Sequence, residues 1–84
     1  MIYHSSIHSS LKNWLRDWAE HNGNWFGEQK IEELTEQYGH YTDTRYLMET
    51  AMRRIRELVE EGYLEQRTQK GKTRKVNLAY YRSI

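Results

Sequence analysis

The chain has 84 residues, 37% apolar and 13% aromatic, so it makes one small domain whose core must draw on three Trp, seven Tyr and one Phe. It has no cysteine, which excludes a disulfide framework and a thiolate metal site; it has no long apolar run, so no transmembrane helix or signal-peptide core is expected and the protein is expected to be cytoplasmic. The net charge of +1 hides an asymmetry: residues 1–42 hold three basic against six acidic side chains, residues 43–84 hold ten against six, and no acid follows Glu65. Such a division points to a polyanionic partner for the C-terminal half, against the plainer explanation of scattered solvated charge.

Residues 1–9 show no helical period. His4 and His8 stand at a spacing that binds metal on a helix, but Ser5, Ser6, Ser9 and Ser10 disfavour a helix interior and no carboxylate is near. A flexible tail without a metal site is expected, followed by a single domain over residues 10–84. Ser10 is a suitable N-cap, and Leu11, Trp14, Leu15, Trp18 and Ala19 then recur at helical spacing. That stripe reads as core rather than as a binding groove, and Asn22-Gly23 should end the helix near His21. Residues 24–26 read as a short extended piece. A second helix is predicted over 28–38, with Ile31, Leu34 and Tyr38 inward, Glu28 complementing the dipole and Gly39 as the stop.

A third helix is predicted over 43–61, its apolar seam being Leu47, Met48, Ala51, Ile55, Leu58 and Val59. The arginine-rich part from Glu49 onward is its firm portion. Gly62 breaks it. Alternation then predicts two strands, 63–68 and 73–80, around a turn at 69–72, with Leu64, Val76, Leu78 and Tyr80 on one face and Glu65, Arg67, Lys75 and Asn77 on the other.

From Arg53 to Arg67 the chain reads RRIRELVEEGYLEQR. This segment resembles the end of the recognition helix and the first wing strand of winged helix-turn-helix domains, and the similarity extends over about residues 10–82. The resemblance implies a mainly α fold with a small antiparallel β-hairpin, three helices and a wing, which binds double-stranded DNA. The stretch 39–50 is longer than the usual turn of that family, so either the third helix starts early or a loop precedes it.

On a wheel of about 100° per residue with Ala51 inward, Arg45, Tyr46, Glu49, Arg53, Arg56 and Glu60 face outward and Thr50 and Arg54 flank the seam. The N-terminal half of a recognition helix is the part that reaches bases. Arg45, Tyr46, Glu49, Thr50 and Arg53 are therefore the candidate base contacts. Arg54 and Arg56, farther along, are candidates for phosphates or for acidic neighbours such as Glu60. Arg67, Lys70, Lys72, Arg74 and Lys75 form a cationic hairpin suited to the backbone or the minor groove. An edge hairpin guarded by lysines needs one or two charges rather than five.

The expected function is sequence-specific binding of double-stranded DNA by a small transcriptional regulator, of a kind found in phages, plasmids and microbial genomes. A homodimer on a palindrome is compatible with this, using the first helix and Tyr80, Tyr81 and Ile84. The alternatives are a winged-helix protein–protein interaction module in a replication or transcription complex, contacting through the acidic second helix, and a binder of RNA or single strands through stacked tyrosines. No enzyme is expected. There is no cysteine nucleophile, P-loop or HExxH motif, and the Ser and His of residues 5–9 lie on the tail. No cofactor, metal or small-molecule ligand is implied.

Overall fold

The computed structural model describes residues 10–70 and 77–84. In chain order they form α1 (Leu11–Asn22), β1 (Phe26–Gly27), α2 (Glu28–Thr42), α3 (Met48–Glu60), β2 (Leu64–Lys70) and β3 (Asn77–Ser83). The three strands make one antiparallel sheet in the order β1-β3-β2. The architecture is the expected one, mainly helical with a small antiparallel hairpin that follows the third helix. The residues expected to form the tail, and Lys72, Arg74, Lys75 and Val76 of the hairpin, lie outside the described residues.

Helix α1 forms as its sequence dictates. The Ser10 hydroxyl accepts from the Asn13 N–H at 3.3 Å, and Gly23, at φ 69°, returns its N–H to the Ala19 carbonyl. Its buried stripe is Leu11, Trp14, Leu15 and Ala19, with Trp18 at the margin. Two aromatic runs leave it. One passes from Trp14 to Tyr38 (5.5 Å between centroids) and on to Tyr46 (5.3 Å), joining α1 to α2 and to the turn before α3. The other passes from Trp18 edge-on to Phe26 (5.1 Å) and then to Tyr81 (6.1 Å), joining α1 to the sheet. Ile31 and Leu34 of α2, Ala51, Ile55 and Leu58 of α3 and Leu64 of β2 close the core.

Three expectations are corrected. Helix α2 does not stop at Gly39 but runs on to Thr42, and its left-handed cap is Asp43, at φ 52°. Asp tolerates that conformation better than most L-residues because its short side chain bonds locally. Gly39 serves another purpose. The Thr44 N–H donates to the Gly39 carbonyl at 2.9 Å, and a Cβ on Gly39 would stand 2.5 Å from the Thr44 carbonyl oxygen. Gly39→Ala is therefore expected to cost about 1–3 kcal/mol, because the turn backbone must shift to admit the methyl group. An unchanged urea midpoint would refute this account of the turn.

The second correction concerns α3, which starts at Met48 rather than at residue 43. Residues 43–47 are the loop ahead of it, and Leu47 is exposed instead of joining the seam. Leu47 lies four residues before Ala51, so it mimics the apolar period without being helical.

The third is the parity of β3. Pairing sets Gln66 against Tyr81 and Thr68 against Ala79, on the face that also carries Leu64. Tyr81 is buried and Ala79 packs on the core, whereas Leu78 is exposed and Tyr80 half-buried on the opposite face. The pairing Phe26↔Tyr81 confirms the assignment, because it places two core rings side by side. Tyr81 is consequently not part of a surface open to a second copy, while Ile84 remains exposed.

Burial pushes the Tyr81 phenol above its ordinary value of 10.0, with Arg56 opposing the rise and Glu28 adding to it. Burial raises Tyr38 as well, helped by Tyr46. Below the ordinary value both states keep these protons. Above it the unfolded chain releases them first, so stability is lost as the pH climbs through the folded-state values. Tyr81→Phe should flatten the alkaline loss of urea resistance as the pH rises past about 10 relative to wild type. An equal loss in both proteins would refute the assignment.

Candidate nucleic-acid interface

The surface in question is built by the 43–47 turn, α3 and the hairpin. Helix α3 is held against α1 by its apolar side and by charge. Lys12 of α1 bonds Glu61 just past the end of α3 and stands 3.6 Å from Glu57, and Glu57 in turn accepts from Arg54 at 3.0 Å. These acids hold Lys12 above its usual range, the hydrogen bond to Glu61 contributing most. Arg54 is thus committed to a partner within the protein. Lys12 is one of several polar residues on the outer side of α1, with Asn13, Arg16, Asp17 and Glu20, so no local sequence signal sets it apart.

The other candidates separate by environment. Arg45 is exposed in the turn, at the rim of a cleft that Glu32, Glu36 and Asp43 also line. Tyr46 is half-buried and gives its ring to Tyr38, so its first role is to fix the turn. Glu49 and Arg53 are exposed on successive turns of α3 and form an ion pair at 3.6 Å. Thr50 is half-buried beside them, and Arg56 is exposed. Arg45, Arg56 and Arg67 make no ion pair among the described residues. Across Met48–Glu60 the three arginines Arg53, Arg54 and Arg56 are matched by Glu49, Glu57 and Glu60. The helix therefore presents polar variety rather than net positive charge.

The hairpin differs. On the sheet face away from the core, the Arg67 and Arg82 guanidiniums each lie 4.6 Å from the centroid of the Trp25 ring. Arg82 also donates through Nε and Nη2 to the Glu65 carboxylate, at 3.2 and 3.0 Å. Trp25 precedes the inward Phe26 by one residue, and strand alternation turns it to this outer face. It pins the base of the wing. Its place in the extended piece, next to an apolar neighbour, was the available signal. Lys70 ends β2, and Lys72, Arg74 and Lys75 fall outside the described residues.

Among the described residues no group of three or more His, Asp or Glu side chains is arranged to hold a metal ion, and no helix is long and apolar enough to cross a membrane. No family model, no curated protein and no solved structure matches the chain.

Proposed function

We propose that this chain binds double-stranded DNA in a sequence-dependent way, as a small transcriptional regulator, with the start of α3 in the major groove and the hairpin on the adjacent backbone or minor groove. The observation that carries the reading is one of placement. Arg45 of the turn, Arg53 and Arg56 of α3 and Arg67 of β2 stand at exposed positions, and the hairpin segment that follows in the chain holds Lys72, Arg74 and Lys75 and no acid. A helix diameter suits the width of the major groove, and cations flanking it suit phosphates. The matched charges of α3 support a reading in which affinity comes mainly from the hairpin and selectivity from the turn and first helical turns. A two-fold operator read by two copies fits the limited reach of one module.

Fluorescence anisotropy against random duplexes at low ionic strength, followed by selection from a random library, tests this. Salt-sensitive binding that narrows to a preferred sequence is the expected result. Absence of duplex binding at low salt would overturn it. The exposed carboxylates Glu28, Glu32, Glu33 and Glu36 of α2 would then favour the reading as a protein-interaction module.

A further inference from the structure

Leu47 is 64% exposed, a large apolar side chain between the exposed charged positions Arg45 and Glu49 in the chain. It is also the N-cap of α3, with extended backbone and no side-chain hydrogen bond to the helix. Leucine is among the residues least suited to that position, where a hydroxyl or carboxylate satisfies a free N–H. Ser10 shows the ordinary solution at the start of α1. At α3 the chain gives up a cap and exposes apolar surface at the same residue.

The backbone around Leu47 is nevertheless held on both sides. Its carbonyl accepts from the Thr50 and Ala51 N–H groups at 3.0 and 3.2 Å, and the preceding Tyr46 ring is packed on Tyr38. The side chain is thus carried on a fixed support at the entry to the helix. The nearest exposed positions on either side of it in the chain, Arg45 and Glu49, are charged, which suits a small isolated apolar group rather than a broad apolar protein face. In the major groove the apolar group on a base edge is the thymine C5-methyl.

We infer that Leu47 reads a thymine methyl group, making it a specificity-determining residue of the interface. This rests on the DNA-binding reading above. The test uses the duplex selected from a random library by the wild-type chain, synthesised with thymine and, one position at a time, with uracil, which lacks only that methyl. Wild type should lose about fourfold in affinity at one or more thymines, the equivalent of one buried methyl group. Leu47→Ser should bind the thymine and uracil duplexes equally, while resisting urea as well as wild type or better, because serine restores a cap.

Retained or raised stability with loss of methyl discrimination is a combination a merely structural leucine would not produce. Equal uracil sensitivity in wild type and Leu47→Ser overturns the inference, as does insensitivity of wild type at every position or a selected site that contains no thymine. Each of those outcomes leaves duplex binding intact. Failure to bind any duplex overturns the DNA reading itself, and this inference with it.

Discussion

Replacing Lys70, Lys72, Arg74 and Lys75 together by alanine is expected to lower affinity for duplex DNA about a thousandfold at 0.15 M salt, with little change between one sequence and another. Each phosphate neutralised by a cation contributes about 0.9 to the slope of log affinity against log salt. Four lost contacts therefore flatten the slope by roughly 3.5, and at 0.15 M salt that corresponds to roughly three decades of affinity. The effect falls on the hairpin because the opposing carboxylates lie elsewhere. Glu57 and Glu61 are turned to Lys12, Glu49 to Arg53, and no acid follows Glu65 in the chain. Arg53→Ala should behave differently, weakening the preferred sequence by about 1–3 kcal/mol and sparing others. Affinity titrations at several salt concentrations measure both. A quadruple variant with an unchanged slope would remove the wing from the interface.

The second large effect is on folding. Trp14→Ala should cost about 3–5 kcal/mol. A domain of this length has roughly 4–13 kcal/mol in total, so the loss is a large share of it. Trp14 is 2% exposed and holds α1 to α2 through Tyr38, with Tyr41 edge-on at 6.5 Å. Removing the indole leaves a cavity between two helices whose backbones are fixed by caps at Ser10 and Asp43, so collapse around it is limited. Urea titration followed by circular dichroism should show the midpoint displaced far toward zero. A loss below about 1 kcal/mol would mean that the helices close over the gap.

How far the chain could be read in advance depended on whether a signal had one physical meaning. The α1 stripe had one: five apolar residues at helical spacing, a hydroxyl before them and Asn-Gly after them. Glycine at 39 had two. It was read as a left-handed stop, but its lack of a side chain is used for the approach of Thr44, and the helix continues. Leu47 also had two, falling on the helical period while standing outside the helix.

The run Leu78-Ala79-Tyr80-Tyr81 offered an apolar residue on either face, and only the register with Gln66 and Phe26 decides which is inward. Of the candidate site, the exposed arginines were legible because charge rarely goes inside unpaired. What the sequence could not reveal was which of them are already occupied. Arg54 on Glu57 is a pair three residues apart within α3, but Arg67 on Trp25 is the product of a contact between elements far apart in the chain.

The strand order also has a bearing on how copies of this chain meet one another. Strand β3 is central, β1 covers one of its sides, and β2 leaves its other edge without a partner strand among the described residues. Such an edge offers a ladder of free amide and carbonyl groups on which a second molecule could extend the sheet. Beyond Leu64, β2 reads Glu65-Gln66-Arg67-Thr68-Gln69-Lys70, without one apolar side chain. A strand added there would gain backbone bonds but set charge beside charge with nothing apolar to bury. Arg67, a proposed phosphate contact, thereby also guards this edge, and neutralising it should make the chain more prone to self-association.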